Sequence, residues 1–346
     1  MGLYALLAAF ALRYVFAALV SARLCFRVLP ELQLGLRHFD RSYLQLFYRY
    51  GSVVQLAGFL AIFLRSIEKV IAGLFMNISA TGIFDIGQKM PMMATSISGS
   101  MNAAFLPALT RHYAAGRYAE MTALYLRAVR YVNLVAGVVM GFLAPFASIL
   151  VAAWLGPAPE LRDASLILTL FCIPFHLNVV TGPGSAIFRS IERPAKELTY
   201  PLMQSTLVTA LVAISFTVNG VNLYSIAIAV AAAMVISALL YIVYVNRELR
   251  VAQVTFARYA LLPGVLPYLC GIGVWHLLWF QMPDIEANRF TLSAFVGIAG
   301  TVYLIVTAAT LWLCVCDHSE RAIVRDAIQR AMQKGRTSQT ARGIQP

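Results

Sequence analysis

Runs of about twenty apolar residues recur along almost the whole chain, separated by short connections. A helix needs roughly 20 such residues to cross the hydrocarbon core of a bilayer. Nine segments qualify: Leu3–Val28, Leu44–Leu64 with an extension to Met76, Ala80–Ala108, Ala128–Leu155, Ala164–Phe188, Leu198–Val218, Leu223–Val245, Tyr259–Phe280 and Phe290–Val315. Composition agrees. The 346 residues are 60% hydrophobic and 12% charged, with mean hydropathy +0.75, whereas a soluble domain is about 25% charged. The expectation is an all-α, polytopic transmembrane helix bundle with about nine spans. No cleavable signal peptide is read at the start, because the opening apolar run is too long and no small-residue cleavage site precedes a soluble chain.

The charge is +12. In a soluble chain that would suggest nucleic acid, but no nucleic-acid motif is present. Here the excess follows the positive-inside bias of membrane proteins. If the first span runs from outside to inside, 21 Lys and Arg fall at inner ends and loops, from Arg23 and Arg27 to Arg336 and Arg342. Only Arg162 and Arg289 then fall outside, beside Glu160, Asp163, Asp284 and Glu286. This predicts an external N-terminus and a cytoplasmic C-terminus. An external start without a signal leads to the expectation that upstream spans are missing. The tail from Asp317 sets Ile323, Val324, Ala327, Ile328, Ala331 and Met332 at helical spacing among Arg321, Arg325, Arg330 and Lys334. That pattern suits an interfacial helix on anionic lipid, or a solvated tail.

The second and third spans are the least lipid-like. Arg65, Glu68 and Lys69 close the second, and Asp85, Gln88 and Lys89 open the third, followed by Thr95, Ser96, Ser98, Ser100 and Asn102. A charge at membrane depth costs about 2.5–3.5 kcal/mol on insertion scales. These side chains must therefore pair, border water, or both. Arg65 with Glu68 and Asp85 with Lys89 have the spacing of partners on one helical face. The five charges leave one positive in surplus, which suits an anionic ligand such as a phosphate or pyrophosphate. The alternative is a set of self-satisfied pairs near the outer interface. Pro174 and the cluster Gly182-Pro183-Gly184 interrupt the fifth span and are candidate hinge residues, since broken helices mark hinges or sites in transporters.

Chemistry beyond this is sparse. No catalytic motif occurs, so no enzymatic activity, cofactor or metal is expected. The five cysteines read as small core residues; Cys314-x-Cys316 has neither redox nor zinc spacing. His176, in the fifth span, is either a satisfied core group or a titrating one.

Several stretches together resemble a known family. They are Arg65-Ser66-Ile67-Glu68-Lys69-Val70-Ile71-Ala72-Gly73, Thr81 to Pro91 (with Phe84 in place of the family's Tyr), Phe105 to Arg111 with a turn at Gly116-Arg117, Trp154-Leu155-Gly156-Pro157, and Ala186 to Pro194. Their order and spacing are similar to those of flippases of the multidrug/oligosaccharidyl-lipid/polysaccharide (MOP) superfamily, in particular polysaccharide-biosynthesis and O-antigen flippases. The resemblance implies two six-helix lobes around a V-shaped cavity, with two accessory helices. Residues 1–43 would then be the last helix of the first lobe and an inner loop, 44–250 the second lobe, 251–316 the accessory pair and 317–346 a basic cytoplasmic tail. Five N-terminal helices of the family would be absent. It further implies a protein of the bacterial cytoplasmic (inner) membrane. Its activity would be to flip a polyprenyl-pyrophosphate-linked oligosaccharide by alternating access, for surface polysaccharide or O-antigen export. Membrane lipids are its surroundings, and other membrane proteins of polysaccharide assembly are further candidate partners. Arg65, Glu68, Lys69, Asp85, Gln88 and Lys89 would line the cavity; they come from the charge reading, not from the family pattern. A drug or cation antiporter of the same superfamily, a membrane enzyme of glycan assembly and an inactive truncated subunit are the competing readings.

Overall fold

A computed structural model describes residues 2–31, 41–159, 161–285, 287–317 and 321. Helices account for nearly all of them, and no strand occurs among the described residues. The chain divides into two compact units, Met1–Ser52 and Val53–Pro346.

The first unit holds α1 (Gly2–Val28) and the beginning of α2 (Arg41–Phe75). The side chains described on α1 are exposed all round, and most are apolar. Such a helix has no water-soluble solution and suits lipid. Arg13 lies near its middle.

The second unit carries the rest of α2, then α3 (Ile78–Ala114), α4 (Tyr118–Leu143), α5 (Ala147–Leu155), α6 (Leu161–Val180), α7 (Gly182–Ser190), α8 (Pro194–Glu197), α9 (Thr199–Asn219) and α10 (Leu223–Glu248). Next comes an irregular helix. It runs from α11 (Gln253–Phe256) through a π-helical turn (Ala257–Leu261) and a 3-10 turn (Leu262–Val265) to α12 (Leu266–Leu278), with a last 3-10 turn at Trp279–Gln281. The last helix is α13 (Arg289–Cys314). Asparagines cap three of these helices: Asn77 accepts from the Ala80 N–H and Asn222 from the Ser225 N–H, each at 2.8 Å, and Asn288 accepts from Phe290. One core forms where α2, α3, α6, α9 and α10 meet, around Phe84, Phe171 and Ile226. A second lies between α4, α7 and α10, around Tyr125, Phe188 and Tyr241. The outer faces of α9, α10, α12 and α13 stay apolar and exposed, for example Leu202, Ile214, Leu240, Leu269 and Ile305.

Seven helices among the described residues are long and apolar enough to cross a membrane: Leu7–Val28, Tyr118–Leu143, Leu161–Ser190, Ala195–Val218, Leu223–Glu248, Gln253–Gln281 and Arg289–Cys314. The chain is thus a multi-pass membrane protein. α2 and α3 are longer, at 35 and 37 residues, but are not among the seven. α3 pays for its length with polar residues at Asp85, Gln88, Lys89 and beyond. The expected run Ala128–Leu155 is not one helix. It starts ten residues earlier, at Tyr118, and breaks between α4 and α5 at Pro145. Of the cysteines expected in the core, only Cys172 is buried; Cys270 and Cys316 are half-buried, and Cys25 and Cys314 are exposed. The expected interfacial tail helix lies, apart from Asp317 and Arg321, outside the described residues.

The breaks are repaired by side chains. Proline lacks an N–H and frees the carbonyl four residues before it. Pro183 frees that of Val179, and the Asn102 amide donates to this oxygen at 3.5 Å. At the α4–α5 break, the Thr169 hydroxyl donates to the Ala144 carbonyl at 3.1 Å. The π-helical turn leaves the carbonyls of Ala260 and Leu261 to Asn133, whose Nδ2 donates to both at 2.8 Å. α4 meets the segment after this turn by close backbone approach: a Cβ on Gly137 would meet the Gly264 carbonyl oxygen of the 3-10 turn at 2.6 Å, and one on Gly271 of α12 the Gly141 oxygen at 2.0 Å.

Asn133 also accepts from a histidine. With Nδ2 committed to the two carbonyls, its Oδ1 faces His176 Nε2 at 2.7 Å. A neutral ring then carries its hydrogen on Nε2, and Nδ1 accepts from the Tyr268 hydroxyl at 2.9 Å. Replacing Asn133 by Leu strips partners from two buried carbonyls and an imidazole. The Asn133→Leu protein in detergent should lose stability on the order of 2–3 kcal/mol, read as an earlier melting transition by tryptophan fluorescence. An unchanged transition would show that these groups find other partners.

Candidate functional site

α2 and α3 form a hairpin whose turn, Met76–Asn77, is held by the Asn77 cap. Antiparallel packing then brings Lys69, six residues before the end of α2, beside Asp85, seven residues into α3. At 1.5 Å per residue both lie about 10 Å from the turn. Lys69 Nζ donates to Asp85 Oδ1 at 2.6 Å, and Lys89 Nζ stands 3.9 Å from Asp85 Oδ2. Local spacing had paired Asp85 with Lys89. The shorter contact instead runs to Lys69, sixteen residues away, because the hairpin supplies a nearer cation. Each carboxylate oxygen thus faces its own ammonium. The side chains of Arg65 and Glu68 lie outside the described residues, so their expected pairing does too. Gln88, 3% exposed, turns into the protein interior rather than toward the lysines.

The cluster is half open. The side chains of Asp85 and Lys89 are 50% and 51% exposed, and that of Lys69 22%. Down the same face of α3, at spacings of three or four, come Met93, Ser96, Ser100, Ala103, Pro107 and Arg111, all exposed. This face therefore differs from the Leu- and Ile-rich outer faces of α9, α10 and α13. Two cations and an acid are costly against acyl chains, and on this face they pair with one another, while the Ser100 hydroxyl donates to the Ser96 carbonyl of its own helix.

The candidate hinge residues fall in two places. Gly182, Pro183 and Gly184 sit at the junction of α6 and α7, where the helix is interrupted at Thr181. Pro174 lies seven residues upstream of Thr181, buried within an unbroken α6. The junction is closely filled. Asn102 occupies the space that a Cβ on Gly182 would need, at 1.9 Å. Asn178 donates to the Tyr200 hydroxyl at 2.6 Å, and Ser185 lies 3.3 Å from the Tyr241 hydroxyl. Asn102 thus ties α3, which carries the charged stripe, to the bend.

A further buried cation went unnoticed in the sequence, where it counted only toward the inner-side bias. Arg130, 4% exposed, stacks over Tyr259 at 4.7 Å from the ring centre and donates to the Val315 carbonyl beyond the end of α13. Its spacing of three from Asn133 is the available signal: both face the helix at 253–281.

Residues 1–158 match the model of a family described as polysaccharide biosynthesis proteins. Among solved structures, the fold is similar to that of the lipid II flippase MurJ in an inward closed conformation. The TM-score is 0.57 at 12% identity, over 81% of this chain and 57% of MurJ. The chain therefore spans a little over half the length of that protein. No curated protein matches by sequence. The superfamily resemblance read from the sequence thus has support on two sides: a polysaccharide-biosynthesis match over residues 1–158, and a fold shared with MurJ.

If Asn102 and Gly182 act as one unit at the bend, their substitutions are not additive. Gly182→Ala expels the Asn102 amide and should lower the melting temperature. In an Asn102→Ala background the same change should cost far less. Equal costs in both backgrounds would separate the two residues.

Proposed function

We propose that the chain is part of a flippase for a lipid-linked oligosaccharide, serving surface polysaccharide or O-antigen export in a bacterial cytoplasmic membrane. The observation that carries this reading is the half-open cluster of Lys69, Asp85 and Lys89 at the head of a polar, exposed face of α3, on a fold similar to that of a lipid II flippase. In this reading the helices of residues 44–250 form one lobe, 251–316 an accessory pair, and the α3 stripe one wall of a water-accessible chamber. The charge bias sets the N-terminus outside and the C-terminus in the cytoplasm.

Chemically, flipping needs no bond to be made or broken. A polyprenyl tail can remain in the bilayer while its pyrophosphate and sugars cross through a polar chamber. The chamber must lower the cost of moving an anion through low dielectric, and ammonium groups on its wall do this. Lys69 and Lys89, with Arg65 as a third candidate, hold the pyrophosphate. The bend at residues 181–184 takes up the change of shape between inward- and outward-open states. Glu68 completes the set of cavity candidates, and Gln88, turned into the interior, leaves it.

In a host lacking its own flippase and complemented by the full-length gene, Lys69→Ala and Lys89→Ala should each reduce surface polysaccharide, on the order of tenfold for a lost charged hydrogen bond. Arg111→Ala, at the far end of the same face, serves as a control for general loss of charge. Normal export with both lysines replaced would remove the phosphate-binding role.

A further inference from the structure

Asp85 is the odd member of a site meant for an anion. A carboxylate between two lysines repels a phosphate and competes for the same donors. Its position nevertheless has a use. Two ammonium groups side by side on adjacent helices repel, and within a membrane protein they are costly when uncompensated. Asp85 sets one oxygen 2.6 Å from Lys69 and the other 3.9 Å from Lys89. It hydrogen-bonds one ammonium and ion-pairs at longer range with the other, the two cations that a phosphoryl group would engage. The carboxylate is also half exposed, on the same open face as Lys89, so a ligand can reach the cations from the side that Asp85 occupies.

We propose that Asp85 is an exchangeable counter-ion: it occupies the two lysines while the site is empty and is displaced from them by the anionic group of the substrate. The inference rests on the flippase reading and adds a release step to it. Two bare lysines would bind a diphosphate and keep it. With Asp85 present, each lysine trades one anion for another, so the gain on binding is small and the return of Asp85 drives departure. Asp85 is a specificity-setting residue in this scheme. It disfavours weak monoanions, which cannot outcompete a tethered carboxylate, and admits a ligand with two adjacent anionic groups.

The test uses the full-length protein in lipid nanodiscs with a polyprenyl diphosphate as probe and the corresponding polyprenol as control. Wild type should bind the diphosphate in preference to the alcohol. Asp85→Asn should bind the diphosphate roughly three- to tenfold more tightly while flipping it more slowly in proteoliposomes. A merely structural ion pair would weaken binding and flipping together, and that result overturns the proposal. A readout without substitution accompanies it: a carbodiimide joins Asp85 to Lys69 directly at 2.6 Å, and saturating diphosphate, but not polyprenol, should suppress this cross-link in peptide mass spectra. Its persistence under diphosphate overturns the exchange. Equal binding of diphosphate and polyprenol by wild type overturns the phosphate site itself, and the exchange with it. Preferential binding without tightening in Asp85→Asn overturns the exchange alone.

Discussion

In hydrocarbon a backbone carbonyl has no water to turn to, and every break in a helix must be repaired from within the protein. This chain breaks its helices often, and its fold follows from how the repairs are made. Asn102 serves the carbonyl freed by Pro183, Thr169 that of Ala144, and Asn133 two carbonyls of the π-helical turn. Each repair comes from a different helix. A local irregularity is thereby converted into a tertiary contact: α3 to the bend between α6 and α7, α6 to the end of α4, and α4 to the helix at 253–281. Glycines at 137, 141, 264 and 271 let backbones come close enough for the last of these. The result is a bundle whose breaks are each tied to a neighbouring helix.

The same scarcity of water governs the charged groups. Arg130 is buried with an aromatic ring and a helix-end carbonyl, a structural use of a cation. Lys69 and Lys89 are treated differently. They share one carboxylate, keep a surplus positive charge, and remain partly open on a face lined with small polar residues. That contrast separates a charge that holds helices together from charges arranged to meet something else. In the flippase reading proposed above, the second arrangement receives an anionic headgroup and Asp85 lets it go.

Much of the architecture was legible in the residues themselves. Apolar run length predicts helices at nearly every place where they occur, and asparagines before runs, at 77, 222 and 288, mark starts. The break in the fifth span was visible as Gly182-Pro183-Gly184. The break at Pro145 was visible in the same way, as a proline within the fourth span, although run length alone carries the span across it. Asn133 and Arg130 were passed over: one polar residue in a long apolar run looks like noise until the carbonyls opposite are known.

Composition and run length alone determined that this chain lives in a membrane as a helical bundle, since no other fold hides so much apolar surface while satisfying its backbone. They also determined that the α2–α3 region carries charges lipid would not accept. Which cation Asp85 takes first was decided only in three dimensions. Sequence spacing knows the neighbour four residues along one helix, whereas the hairpin brings in Lys69 from another at 2.6 Å. Likewise only the packed bundle shows that Gln88 turns inward while Lys89 turns outward. Two adjacent residues on a helix point about 100° apart, and it is the neighbouring helices that settle which of the two meets protein.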